Sequence, residues 1–167
     1  MIKLSKEYSQ DILLKYPSLL DEFFKYDVLV DNKPLYNKHV IAFKEIIKML
    51  ETELCISTNM YKNYPVIMLK SLYQIFNNYN LILINYNTNE DLELFEFENM
   101  DEFKNKVENI IWDIDLNKIF IIIEEANTLM WVGYEVTVAL FFVNYDDTIK
   151  KIENIFESNG AIILRDK

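Results

Sequence analysis

Three oxygen-bearing residues at alternate positions form the most suggestive chemical motif of the chain. Asp113, Asp115 and Asn117 have the spacing of the first, third and fifth ligands of a calcium-binding loop. Glu124 follows at the twelfth position, but Lys118 replaces the glycine that makes the sharp turn of such loops. The residues after Lys118 have the pattern of a strand, which advances about 3.3 Å per residue and would carry Glu124 far from Asp113. We therefore predict a solvated hairpin turn here and no metal site.

The other residue types that commonly do chemistry are isolated. His39 is the only histidine, and a zinc site or a catalytic triad would need partners for which the sequence has no signature. We interpret His39 as a surface or packing residue. Cys55 is the only cysteine and has apolar neighbours, which favours a buried, inert thiol. Glu124 and Glu125 are adjacent, and adjacent strand residues point to opposite faces, so they make a poor acid–base pair. The sequence thus predicts no catalytic residue, no metal ligand and no cofactor, and the protein is expected not to be an enzyme.

Length and composition predict one domain over residues 1–167. The chain is 51% hydrophobic, which is enough for a sizeable core. It has two glycines and three prolines, too few for flexible linkers or for a glycine-rich phosphate loop. A lone cysteine, the lack of a signal-like start and the lack of an apolar run of about 18 residues favour a cytoplasmic location.

The net charge of −10 limits the kinds of partner. Nucleic-acid binding needs clustered Lys and Arg, whereas Arg165 is the only arginine and no basic run exists. Binding to nucleic acid or to an anionic membrane is therefore disfavoured. An acidic domain attracts basic proteins, most strongly when its charge lies on one face.

The N-terminal half is predicted to be mainly helical. Ser5 can cap a first helix that ends near Pro17, and Ser18 can cap a short second one. Residues 28–30 are either a short strand or a connection. Apolar residues with a period near 3.6 predict a long helix over residues 34–54. A polar loop over residues 57–63 and a helix that opens at Pro65 are expected to follow.

From Leu81 the period changes to 2, which indicates strands. Residues 81–86 are apolar on both faces, as in a central strand. Residues 92–97 break the alternation, and a bulge at Leu94 and Phe95 would turn both apolar pairs to the core. Asn99 can cap the next helix. An antiparallel meander of three strands is predicted to follow, over residues 119–123, 129–134 and 136–143. Gly133 would mark a bend or bulge in it.

Asp146 or Asp147 begins a last helix, Asn159 and Gly160 end it, and residues 161–164 form a short strand. The predicted fold class is α+β, with helices packed on a mainly antiparallel sheet of five to six strands from residues 81–145 and 161–164.

The acidic charge is concentrated in this predicted sheet. Residues 86–135 contain thirteen acidic residues and three lysines, so this window carries the net charge of the whole chain. If the strands share a sheet, much of that charge would be presented from one side or rim. We predict that the partner-binding residues are Glu90, Asp91, Glu93, Glu96, Glu98, Asp113, Asp115, Glu124, Glu125, Tyr134 and Glu135.

The chain resembles the immunity proteins of bacterial polymorphic and contact-dependent toxin systems. The resemblance lies in its composition, in the acidic hairpin of residues 90–98 and in the segment 112–120. The resemblance is one of type and extends over the whole chain. It implies a cytoplasmic bacterial protein that binds a cognate toxin, commonly a basic nuclease, and blocks its active site or its access to substrate. Carboxylates would take the place of nucleic-acid phosphates, with Tyr or Trp as anchors. The alternatives are a phage or mobile-element regulatory inhibitor, an enzyme of unrecognised type and a structural subunit.

Overall fold

A computed structural model describes residues 1–14, 37–44, 58–86, 92–112, 119–133, 136–142 and 144–165. The strands are β1 Ile2–Lys3, β2 Asn37–Ala42, β3 Leu81–Tyr86, β4 Leu92–Glu96, β5 Ile119–Ile123, β6 Thr128–Gly133, β7 Thr137–Phe142 and β8 Ile162–Arg165. The helices are α1 Lys6–Leu13, α2 Thr58–Asn78, α3 Met100–Trp112 and α4 Asp147–Ser158, and a 3-10 turn covers Glu124–Ala126.

All eight strands form one sheet in the order β1-β4-β3-β5-β6-β7-β2-β8. Every pairing is antiparallel. The predicted α+β class and the predicted meander are confirmed, while the expected five to six strands are fewer than the eight found in the described part of the chain. The sequence prediction lacks β1 and β2, which lie outside the strand-rich region.

The sheet has an apolar core on each face. Helices α2, α3 and α4 pack on one face against alternate residues of the central strands, such as Leu83, Ile121 and Met130. Ile12 of α1 packs on the other face, where the intervening residues, such as Ile82, contribute. Because successive strand residues point to opposite faces, two covered faces require strands that are apolar throughout. This confirms the interpretation of residues 81–86 as a central strand.

Polar side chains cap three helices as the sequence predicts. The Ser5 hydroxyl accepts a hydrogen bond from the Tyr8 amide at 3.3 Å, and Asn99 Oδ1 accepts one from the Glu102 amide at 3.0 Å. Asp146 caps α4 by accepting bonds from the amides of Thr148 and Ile149, both at 2.9 Å. These groups satisfy amides that have no partner within the helix.

The helix predicted over residues 34–54 is wrong over residues 37–42, whereas Lys44 is helical. Residues 37–42 form β2, which pairs with β7 on one side and with β8 on the other. Ile41 faces the core under the three helices, and Val40 packs on the opposite face. Apolar residues on both faces of a strand also fit a helical period, and the two neighbouring strands decide between them.

The loop predicted over residues 57–63 is wrong from residue 58 onward. Helix α2 begins at Thr58, so Pro65 lies inside the helix instead of opening it. Proline has no N–H, and one bond of the helix ladder is therefore missing. The Tyr64 ring beside it stacks on Phe43 with ring centroids 4.2 Å apart, which is a tertiary contact that helps to hold this turn.

The predicted bulge at Leu94 and Phe95 is also wrong. The register between β3 and β4 is unbroken, with Ile84 opposite Leu94 and Leu83 opposite Phe95. Leu94 belongs to one core and Phe95 packs against the other. The bulge is unnecessary because both faces of the sheet are apolar.

Gly133 likewise lies in unbroken register, opposite Thr137, and makes no bulge. A side chain approaches Gly133 closely instead: a Cβ at Gly133 would lie 2.5 Å from Nε1 of Trp131. The absence of a side chain at residue 133 therefore makes room for the indole.

Several predictions fall on residues outside the described ranges. They are the helix after Ser18, the connection at residues 28–30, Cys55, and the calcium-like residues from Asp113 to Lys118.

Candidate interaction surface

The antiparallel register brings several acidic residues to one end of the sheet. Strand β3 begins where β4 and β5 end, with Ile82 opposite both Glu96 and Ile122, and Leu81 opposite Ile123. Helix α3 begins just after β4, and the 3-10 turn follows β5 directly. We call this region the acidic end, and its carboxylates belong to Glu96, Glu98, Asp101, Glu102, Glu124 and Glu125.

The structure describes five of the eleven predicted partner-binding residues: Glu93, Glu96, Glu98, Glu124 and Glu125. Four of these lie at the acidic end, and Glu93 lies farther along β4. The other six are outside the described ranges: Glu90, Asp91, Asp113, Asp115, Tyr134 and Glu135.

The strand residues that flank these six lie at the opposite end of the sheet. They are Tyr86, Leu92, Ile119, Gly133 and Thr137. At about 3.3 Å per residue, strands of five or six residues separate the two ends by roughly 17–20 Å. The described strands therefore bring the acids at the ends of β4 and β5 together at the acidic end. The strand residues next to the other six predicted partner-binding residues lie at the opposite end of the sheet.

Glu124 and Glu125 both contact Asn80, although the sequence suggested that they point to opposite faces. The reason is that they belong to a 3-10 turn and not to a strand. The Asn80 amide donates to the two carboxylate oxygens of Glu125 at 2.9 and 3.1 Å. Asn80 Nδ2 donates to Glu124 at 3.1 Å, and the Tyr8 hydroxyl donates to the other oxygen of Glu124 at 2.9 Å. The pair thus ties the connection between α2 and β3 to the end of β5.

These contacts also change the pKa of the Tyr8 hydroxyl. The hydrogen bond to Glu124 raises the pKa of the Tyr8 hydroxyl, with smaller contributions from burial and from the charges of Glu124 and Glu96. Tyr8 remains 39% exposed. Its ring is therefore partly exposed at the surface, while its hydroxyl is held by the hydrogen bond to Glu124.

Other carboxylates of the predicted set have basic partners. Lys3 forms an ion pair with Glu93 across β1 and β4. The N-terminal ammonium group of Met1 contacts Glu102 and lies 2.9 Å from Glu98. Glu102 also accepts a hydrogen bond from the Glu98 amide at 3.0 Å. The ammonium group and this amide lower the pKa of Glu102 below its ordinary value.

At the acidic end, the side-chain carboxylates of two acids have no hydrogen bond or ion pair with any described residue. They are Glu96, which is half-buried, and Asp101, which is exposed. Glu96 lies opposite Ile2 in the sheet, and Ile2 is 53% exposed. The acidic end therefore combines carboxylates with exposed apolar surface from Ile2 and Tyr8. Sequence reasoning missed Asp101, Glu102, Ile2 and Tyr8 because their positions depend on strand register.

Among the described residues, no group of three or more His, Cys, Asp or Glu side chains could hold a metal ion. Within the same ranges, no helix has the length and apolar character needed to cross a membrane.

A second polar cluster lies around Glu153 in the core under α4. Glu153 is 1% exposed, and one of its oxygens contacts Nδ1 of His39, which is also buried. The other oxygen accepts bonds from the Tyr145 hydroxyl at 2.6 Å and from Arg165 Nη2 at 3.0 Å. The His39 ring lies edge-on to Phe142 at 4.8 Å. His39 is thus a packing residue, which is one of the two interpretations made from the sequence.

Burial by itself would raise the pKa of Glu153, but the hydrogen bonds from Tyr145, His39 and Arg165 outweigh it and the pKa is lowered. Sequence reasoning did not single out Glu153. A signal was available, because Glu153 lies four residues after Ile149 and three before Phe156, on the buried stripe of α4.

Comparisons with protein-family models, curated proteins and solved structures give no match.

Proposed function

We propose that this protein is a non-catalytic inhibitor that binds a basic protein through its acidic end, in the manner of a bacterial toxin immunity protein. The partner would be a cognate toxin domain, and a basic nuclease suits the charge best. The observation that carries the proposal is the position of six carboxylates at one end of the sheet, next to the exposed Ile2 and Tyr8.

The chemistry of the surface suits a groove that normally holds nucleic acid. Such a groove presents Lys and Arg to phosphate groups, and carboxylates can pair with the same cations. Apolar and aromatic side chains at the centre of a contact provide most of the binding energy, while surrounding charges guide association and select the partner. Tyr8 and Ile2 are the candidates for the centre of this contact.

The internal hydrogen bonds of Glu124, Glu125 and Glu102 are compatible with this role. An ionised carboxylate has about four lone-pair positions, so a group that accepts one or two bonds can still accept another from a partner. Side chains that are already fixed lose less conformational entropy when a complex forms. The internal bonds therefore hold these carboxylates ready for a partner.

The test measures the affinity of the full chain for the product of the adjacent gene in its source genome by isothermal titration calorimetry. The variant Glu96→Gln with Asp101→Asn removes the two acids that have no described partner, and we expect it to weaken association at least ten-fold, since charge-assisted hydrogen bonds contribute about 1.5–3 kcal/mol each. Its melting temperature should stay close to that of the unmodified chain.

The matched control is Asn154→Lys with Ser158→Lys, which changes the net charge by the same amount on the exposed side of α4. It should bind like the unmodified chain. If both variants lose affinity equally, net charge and not the acidic end is responsible. If the adjacent product does not bind but a different basic protein from the source host does, the phage or mobile-element regulatory inhibitor replaces the immunity protein.

A further inference from the structure

The buried carboxylate of Glu153 connects four separate segments of the chain. Glu153 belongs to α4, His39 to β2, Tyr145 to the connection between β7 and α4, and Arg165 to β8. His39 and Arg165 are the only histidine and the only arginine of the protein. Glu153 is buried, whereas the Arg165 side chain is 47% exposed. A buried carboxylate without compensation is costly, so the contacts from the other three segments stabilise Glu153 in this position.

Of the strands and the helix that meet at Glu153, β8 has the least other support. It lies at the edge of the sheet and, within the described part of the chain, pairs with β2 alone, through four residue pairs. Ile162 and Ile163 are half-buried, and Leu164 is 42% exposed. Helix α4, by contrast, buries Ile149, Ile152 and Phe156 completely. Helix α4 is therefore stabilised by more buried apolar side chains than β8.

The turn between α4 and β8 can act as a hinge. Gly160 has a φ of +104° and no atom within 4 Å of the position of a Cβ. The amides of Gly160 and Ala161 donate to the carbonyls of Glu157 and Phe156 at 3.0 and 3.1 Å, which closes the end of α4 independently of β8. Ala161 is part of this closure and is buried. Helix α4 can therefore keep its end intact while the strand from Ile162 onward moves.

We propose that Glu153 and Arg165 form a latch that holds β8 on β2, and that β8 opens as a unit about Gly160 when the latch is broken, while α4 stays in place. Arg165 makes two contacts to α4: its Nη2 atom lies 3.0 Å from Glu153 and 3.8 Å from Glu157.

The test follows amide hydrogen exchange of the full chain by mass spectrometry or NMR. Arg165→Gln removes the charge that holds the latch, and Lys151→Gln on the exposed side of α4 is the matched control for net charge. We expect exchange in residues 162–165 to accelerate about ten-fold in Arg165→Gln, in line with the loss of a hydrogen bond to a charged group. Exchange within residues 152–156 should not change, and the control should match the unmodified chain.

A double-mutant cycle separates the latch from a general loss of stability. Glu153→Gln keeps the shape of the side chain, and it should accelerate exchange of β8 at least as much as Arg165→Gln does, because it also weakens the contacts to His39 and Tyr145. The double variant should exchange β8 no faster than Glu153→Gln alone, because the contact between Glu153 and Arg165 is already lost there. Equal acceleration of β8 and α4, an unchanged rate in β8, or additive effects in the double variant would each overturn the proposal.

Discussion

The backbone amide of Asn80 donates a hydrogen bond to Glu125, a residue 45 positions later, at 2.9 Å. This contact joins the end of α2 to the 3-10 turn after β5. It shows that an acidic residue proposed to contact a partner also contributes to the fold. Stability and binding must therefore be measured separately for every residue of the acidic end.

Replacing Glu125 by alanine should lower the free energy of unfolding by about 1 kcal/mol, because the Asn80 amide loses its acceptor and water replaces it only in part. Replacing Glu96 by alanine should change it by less than about 0.5 kcal/mol, since Glu96 has no described partner. Urea unfolding at neutral pH measures both. Equal losses would mean that the bond to Asn80 contributes nothing measurable.

Acid should remove the stability that Glu153 contributes. The pKa of Glu153 is lowered in the folded protein from an ordinary value of 4.5. The unfolded chain therefore binds the proton first, and the contribution is complete above about pH 4.5 and is lost as the pH falls through the folded pKa. Urea unfolding from pH 7 to pH 3 should show this loss.

The variant Glu153→Gln is the control for that pH dependence, because it cannot ionise. It should be less stable than the unmodified chain at pH 7 by about 1.5–3 kcal/mol, the usual contribution of a hydrogen bond to a charged group. The difference between the two proteins should shrink as the pH falls. A constant difference down to pH 3 would show that ionisation of Glu153 does not stabilise the fold.

The two glycines should respond to alanine for different reasons. Gly133→Ala places a methyl group 2.5 Å from Nε1 of Trp131, so the indole must move, and a loss of about 1–3 kcal/mol is expected. The tryptophan fluorescence spectrum should change with it. Gly160→Ala meets no atom within 4 Å but must adopt a φ of +104°, which costs roughly 1–2 kcal/mol and should leave the spectrum unchanged.

Tyr73 should remain protonated at a pH where exposed tyrosines ionise. Burial, followed by the hydrogen bond to Glu108, raises its pKa well above the ordinary value of 10. The stability from this group is therefore present below pH 10 and is lost only as the pH rises through the folded pKa. Absorbance titration of Tyr73→Phe against the unmodified chain should show one fewer late-ionising tyrosine. The loss of an early-ionising one instead would contradict the assignment.

Local sequence patterns were sufficient to predict those features of the fold that depend on residues close together in the chain. Ser5, Asn99 and Asp146 cap their helices as predicted, because a cap bonds to amides two or three residues away. Residues 81–86 and 119–123 are central strands, as their apolar character on both faces indicated. The fold class followed from these elements.

Tertiary structure decided what local patterns leave open. Residues 37–42 have a period that fits a helix or a strand buried on both faces, and only pairing with β7 and β8 selects the strand. The bulge predicted in β4 assumed one buried face, whereas the sheet has two.

The positions of the acidic residues also depend partly on the sequence and partly on the tertiary structure. The sequence by itself determined how many carboxylates residues 86–135 contain. Strand order and register decided which of them meet at the acidic end, and that Arg165 and His39 meet at Glu153. Composition and short-range periodicity are properties of the chain, while contacts across 45 or 114 residues exist only after the strands have paired.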